Sequence, residues 1–172
     1  MDINNTTIIC IDLQEKLVNM LEKSTVAQNS AKLLKGANIL NIDTVLTEQY
    51  PKGLGETIGE IKEIKDFKTI EKTTFSALKT PEFQHEIKEN VVIFGIETHI
   101  CVYQTVIDLI ERGHKVYVVK DCCASRSKLN YKTALELMEQ KGAYITTLEI
   151  VLFDFLKSSK HPNFKEVQAL IK

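Results

Sequence analysis

The feature that most constrains this chain is an alternation. Short, continuous apolar runs rich in β-branched residues recur along it, separated by longer stretches with helical periodicity. The runs cover residues 6–11, 44–47, 91–94, 116–119 and 144–147, with a weaker candidate at Thr69 and Ile70. A strand with one wet face alternates apolar and polar residues. A run with no polar side is a strand covered on both faces, as in a parallel sheet. The helical patterns lie over residues 25–40, 81–88, 100–112, 129–141, 150–157 and 162–171. Thr80 before Pro81 reads as an N-cap with proline at N1, and Gly113 and Gly142 read as helix stops. Strand–helix–strand alternation predicts a three-layer α/β domain with helices on both faces of a mostly parallel sheet.

The 172 residues fit one domain, 1–172, because no repeat, low-complexity tract or Pro/Gly/Ser-rich linker divides them. Lys plus Arg number 22 against 23 Asp plus Glu, so the net charge is −1 and no strong field exists to capture nucleic acid or an acidic membrane. No apolar run approaches the roughly 20 residues of a membrane span, and the polar start, Met1 to Thr7, does not read as a signal peptide. Cys10, Cys101, Cys122 and Cys123 have neither zinc-finger spacing nor a secreted disulfide pattern, so a reduced, cytoplasmic setting is expected.

In doubly wound sheets the site lies beyond the carboxyl ends of the strands. Three residues there carry chemistry. Asp12 directly follows the first run; it is either a carboxylate of tunable pKa or a cap for the next helix. Lys72 follows the weak third run; a solvated surface lysine is the plainer reading. Cys101 falls in the first turn of a helix beginning near Thr98, where the helix dipole is expected to lower a thiol pKa and unpaired N–H groups to receive an oxyanion. Its alternative is a small packed residue. Taken together, a thiol nucleophile needs a base, and the base needs a partner that keeps it ionised. No G-x-G-x-x-G follows the first run, which argues against a nucleotide binder. His99, two residues from Cys101, faces away from it on a helix.

Four stretches carry a resemblance: Ile11-Asp12-Leu13-Gln14; Lys72-Thr73-Thr74-Phe75-Ser76; Gly95-Ile96-Glu97-Thr98-His99-Ile100-Cys101-Val102; and the run from Leu109 through Asp121, Ser125 and Arg126. With them the chain resembles the isochorismatase-like cysteine hydrolases over essentially its whole length. The segments from Thr47 to Gly55 and from His161 to Ile171 make it most similar to the eukaryotic isochorismatase domain-containing subgroup.

The resemblance implies a six-stranded sheet in the order 3-2-1-4-5-6. It implies Asp12 as base, Lys72 as its partner and Cys101 as nucleophile, with the backbone N–H groups of Glu97 and Cys101 as oxyanion hole and a cis peptide at Ile96–Glu97. Gln14, Tyr50, Phe75 and Ile96 are expected around the substrate, packing being the alternative for Tyr50 and Phe75. The family's metal-binding branch has histidines after the second strand. Here that place reads Glu48-Gln49-Tyr50-Pro51-Lys52, and His85, His99, His114 and His161 are scattered. No metal or other cofactor is therefore expected. The implied partners are a small amide-type or related carbonyl substrate and further copies of the chain, as a dimer or tetramer, with no nucleic acid or membrane. A non-catalytic oligomeric scaffold of the same fold is the alternative.

Overall fold

The chain folds around six strands that the apolar runs supply: β1 (Thr6–Ile11), β2 (Asp43–Gln49), β3 (Lys68–Lys72), β4 (Asn90–Ile96), β5 (Lys115–Ala124) and β6 (Tyr144–Thr146). The computed structural model describes residues 1–21 and 24–172. The strands form one sheet in the order β3-β2-β1-β4-β5-β6, and every neighbouring pair is parallel. The central strands β1 and β4 are buried at every position, as their unbroken apolar character predicts.

The helices are α1 (Glu15–Asn19), α2 (Val26–Ile39), α3 (Pro51–Leu54), α4 (Gly59–Lys62), α5 (Tyr103–Glu111), α6 (Lys128–Gln140), α7 (Leu148–Leu156) and α8 (Phe164–Ala169). Parallel neighbours require crossovers, and crossovers are right-handed. Connections running outward from β1 toward β3 therefore cover one face, and those running from β4 toward β6 cover the other. The packing agrees: α2 contacts α4, α7 and α8, whereas α5 contacts α6. Gly36 lets α2 and α7 approach, since a Cβ there would meet Leu152 Cδ2 at 2.4 Å. Val151, Leu152, Phe155 and Leu156 of α7 are buried, so this apolar helix packs inward and leaves Ile150 and Phe153 exposed.

One expected helix is absent. Residues 81–88 form a single turn and then an irregular strap. Thr80 does not cap, because its hydroxyl bonds Thr74 Oγ1 at 2.6 Å. Beyond Phe83, whose N–H reaches Thr80 O, the strap is tied to the amino ends of the strands. His85 Nε2 meets Asp43 Oδ2 at 2.9 Å, and Lys88 N donates to Thr7 Oγ1 at 3.1 Å. These tertiary bonds replace the helical ones that local propensity favoured. The helix after β4 also differs at its start: a π-helical turn, Thr98–Val102, precedes α5.

The end of β4 is the tightest place in the sheet. Gly95 pairs with Ile11 of β1 and has φ +132°. A Cβ there would lie 2.0 Å from Ile11 O and 2.7 Å from its carbonyl carbon, and neither atom has freedom to retreat. Gly95→Ala is therefore expected to cost at least about 2 kcal/mol, from overpacking and backbone strain together. Urea denaturation of the variant measures this; wild-type stability would contradict the stated contact.

Candidate active site

Asp12 leaves β1 in the left-handed region, φ 50°, which aspartate tolerates better than most residues. Its N–H bonds Thr47 O at 3.1 Å, and its own carbonyl accepts from Gln14 N at 2.8 Å. This turn sends the carboxylate across β2 toward β3. Oδ1 accepts from Thr47 Oγ1 at 2.6 Å, and Oδ2 accepts from Lys72 Nζ at 2.7 Å. The capping alternative for Asp12 therefore does not apply, and the N-cap of α1 is Gln14.

Lys72 is the last residue of β3, and the Asp12 and Lys72 side chains are both 0% exposed. The surface reading of this lysine fails for that reason. Besides Asp12, its Nζ donates to Gln49 Oε1 at 2.6 Å and approaches the carbonyls of Phe75 and Thr74 at 3.2 and 3.3 Å. Each proton of the ammonium thus has an acceptor, which a buried cation requires.

Gln49, at the end of β2, lies in the strand-end stretch the sequence points to, but nothing in the sequence assigns it a role. Its Oε1 receives Lys72 and lies 4.0 Å from Cys101 Sγ, while its Nε2 donates to Thr73 O at 2.9 Å. Glutamine is a frequent surface residue, and only the register of β2 against β3, Gln49 opposite Lys72, brings it here. Gln14 holds this strand end: its Oε1 accepts from Gln49 N at 2.7 Å, and its Nε2 donates to Gln49 O at 3.0 Å and Gly55 O at 2.6 Å. Gln14 thus supports the cluster through the backbone.

Cys101 lies in the π-helical turn, 6% exposed. The Ile96–Glu97 peptide before this turn is cis. Glu97 O accepts from Ile100 N at 3.1 Å and Val102 N at 3.3 Å, which curls the backbone tightly around Cys101. The Glu97 carboxylate accepts from Arg126 N and Nε, both at 3.0 Å, tying the turn to the loop after β5. Burial opposes ionisation of this carboxylate, but the Arg126 hydrogen bonds and charge outweigh it and keep its pKa below the usual value. The thiol behaves opposite to the sequence expectation. Burial foremost, and then the Asp12 carboxylate, push the Cys101 pKa up to about 12, against the downward pull of Lys72. A helix dipole is a fraction of a charge, while burial and a full carboxylate oppose ionisation directly.

The other expected residues divide. Phe75 contributes its carbonyl to Lys72 and leaves its ring exposed. Tyr50, φ 37°, is exposed and lines a cleft of about 490 Å³ with Pro51, Lys52, Lys72 and Thr73. Ile96 is fully buried in the core and pairs with Ala124, so its side chain does not open onto that cleft. His99 turns to Ser125 Oγ at 3.0 Å, away from the thiol. Cys10, Cys122 and Cys123 are buried. Glu48, after the second apolar run, is engaged by Thr57 N and Oγ1 at 2.6 and 2.7 Å. Among the described residues, no three His, Cys, Asp or Glu side chains converge in a way that would hold a metal ion. Among the described residues, no helix is long and apolar enough to cross a membrane.

Two measurements check this geometry. Lys72→Met leaves the Asp12 carboxylate buried without its counter-ion, with an expected loss of about 3–5 kcal/mol that Asp12→Asn in the same chain partly restores. Equal stability of the single and double variants in urea would contradict the pairing. A thiol raised to about 12 stays neutral at pH 7, and its thiolate fraction grows tenfold per pH unit. Iodoacetamide labelling of the Cys101 peptide should therefore climb from pH 7 to 10 without levelling, whereas an ordinary thiol of pKa ≈ 8.5 saturates. A plateau anywhere between pH 7 and 10 would overturn the assigned direction.

An isochorismatase domain matches residues 6–150. Isochorismatase domain-containing protein 2 of Xenopus laevis is 39% identical over 173 residues, which cover 97% of this chain and 83% of that protein. The solved structure of MAR1 ribonuclease from Caenorhabditis elegans superposes with TM-score 0.93 at 41% identity, covering 99% of this chain and 91% of that one. The structure of YcaC from Pseudomonas aeruginosa shares the fold at TM-score 0.91 and 21% identity, covering 99% and 90%. A domain match over most of the length and a relative aligned almost end to end lead to one conclusion: the chain belongs to the isochorismatase family.

Proposed function

We propose that this protein is a metal-independent cysteine hydrolase of a small amide or related carbonyl compound. The observation that carries the reading is the buried Asp12–Lys72 pair, with the Cys101 sulfur beside the amide oxygen that Lys72 also holds. A neutral thiol at rest suits this arrangement, because the proton leaves only when substrate is present.

Asp12 takes the Sγ proton as sulfur attacks the carbonyl carbon. The negative charge passes to the carbonyl oxygen, which the N–H groups of Glu97 and Cys101 receive. Collapse breaks the C–N bond. Asp12 returns its proton to the departing amine, leaving a thioester on Cys101. Asp12 then removes a proton from water, the hydroxide adds to the thioester, and the acid departs as sulfur regains its proton. The net reaction is amide plus water to acid plus amine, and it needs no cofactor. Lys72 balances the charge throughout: Asp12 is negative at rest, and the thiolate is negative after proton transfer.

A partner-binding scaffold needs no buried ion pair aimed at a thiol, and the inward-facing Asp12 and Lys72 weigh against it. The relative named as a ribonuclease supplies a second reading, cleavage of RNA. The net charge of −1 supplies no overall positive field toward a phosphodiester backbone, and Lys72, committed to Asp12, is not free to meet a phosphate. We also infer that the chain works as a homo-oligomer in the cytoplasm; the exposed Ile150 and Phe153 on α7 offer apolar surface for a contact.

The test is Cys101→Ala against a panel of small amides, with a single-stranded RNA alongside. Amide hydrolysis by wild type should fall about 10³-fold or more in the variant, and intact mass should detect an acyl adduct on wild type alone. Amide hydrolysis that survives in Cys101→Ala would remove the nucleophile. RNA cleavage unaffected by the substitution would move the function to the second reading.

A further inference from the structure

Gln49 closes β2, partly exposed, and its side chain reaches three groups at the site. Oε1 accepts from Lys72 Nζ at 2.6 Å and stands 4.0 Å from Cys101 Sγ, within reach of an S–H donor. Nε2 donates to Thr73 O at 2.9 Å. These partners fix which way the amide points. An ammonium takes only an acceptor and a carbonyl only a donor, so a flipped amide would oppose both Lys72 and Thr73. The oxygen is therefore the end that meets the sulfur.

An amide oxygen accepts hydrogen bonds and never donates. Cys101 can bond it as a thiol, whereas a thiolate would face its lone pairs. A hydrogen bond made by the protonated form alone disfavours ionisation. The same oxygen also occupies one N–H of Lys72. The rest of the ammonium serves Asp12 Oδ2 at 2.7 Å and the carbonyls of Phe75 and Thr74 at 3.2 and 3.3 Å. Sulfur, a weaker acceptor than any of these oxygens, comes after them. Burial holds the thiol pKa up first; of the charged groups that face Sγ, Asp12 from β1 adds to this and Lys72 from β3 opposes it. Gln49 competes with the sulfur for the second of these.

We propose that Gln49 is a positioning residue that restrains Cys101: its amide oxygen holds the S–H and keeps one Lys72 N–H from the sulfur, so the resting thiol stays protonated toward small electrophiles and oxidants. Without that oxygen the freed N–H turns to the sulfur and favours the thiolate. The inference rests on the hydrolase reading for its purpose, a nucleophile guarded between turnovers. No bond of Gln49 forms or breaks. Gln14 clasps only the backbone N–H and carbonyl of Gln49, so the strand end keeps that hold when the side chain is changed.

The experiment measures iodoacetamide alkylation of the Cys101 peptide at pH 9 in wild type, Gln49→Met and Gln49→Glu. Sulfur displaces iodide, a C–S bond forms, and the thiol proton passes to buffer. Gln49→Met removes the acceptor at nearly constant shape and should label about 3- to 10-fold faster. Gln49→Glu keeps an oxygen for Lys72 but sets a second carboxylate beside Sγ, and should label at least about 10-fold slower. A merely structural Gln49 would loosen the strand end and speed both variants. Cys10, Cys122 and Cys123, all buried, report such loosening and should stay unlabelled in each. Labelling of Gln49→Met no faster than wild type, of Gln49→Glu no slower, or a rise shared with the buried cysteines, overturns the proposal. Release of p-nitrophenol from p-nitrophenyl acetate, by attack that leaves a thioester on Cys101, tests the hydrolase reading separately. If Cys101→Ala releases p-nitrophenol at the wild-type rate, that reading falls, while opposite labelling shifts in the two variants would still establish the hold of Gln49 on the thiol. If Cys101→Ala is inert and the labelling rates do not shift, only the role of Gln49 is lost.

Discussion

The ion pair between Asp12 and Lys72 is the interaction on which the rest of the site depends. Both side chains are withdrawn from water, and a buried carboxylate or ammonium alone is strongly unfavourable. Each therefore requires the other, and each recruits further partners: Thr47 for Asp12, Gln49 and two loop carbonyls for Lys72. These bonds join the carboxyl ends of β1, β2 and β3 into one polar cluster. Gln14 holds that cluster from beneath by clasping both backbone groups of Gln49. A network of this kind over-determines the position of every member, which is what a reacting centre needs.

Against that cluster lies a single thiol kept neutral by its surroundings. Burial and the Asp12 carboxylate raise its pKa, so the resting site stores no reactive thiolate. In the proposed reaction the base, Asp12, is also the residue whose charge opposes ionisation, so proton transfer from sulfur would remove that charge as the thiolate forms and leave Lys72 to stabilise it.

The sheet was readable because burial on both faces leaves a plain signature, unbroken in the central β1 and β4, and because β2, β5 and β6 each contain a short apolar run. β3 was the weakest in sequence, with a burial pattern that alternates because it is an edge strand with one wetter face. The 81–88 helix failed because Thr80, the supposed cap, found a better partner in Thr74, and the strap's other donors found the sheet. Asp12, Lys72 and Cys101 were readable as residues at or just beyond strand ends. Gln49 was not, since an uncharged amide has no chemical mark in a sequence. The direction of the Cys101 pKa was misjudged because a dipole argument sees one helix, whereas desolvation depends on everything packed around it.

The sequence by itself determined the strand and helix order, the parallel sheet that follows from it, and the edge where chemistry is possible. Those are consequences of local pattern, since periodicity and handed crossovers act along the chain. Only the tertiary structure decided that Asp12 bonds Lys72 across 60 positions and that Gln49 joins them. Pairing and burial depend on the register between strands and on what shuts out water, and neither is a property of any segment alone.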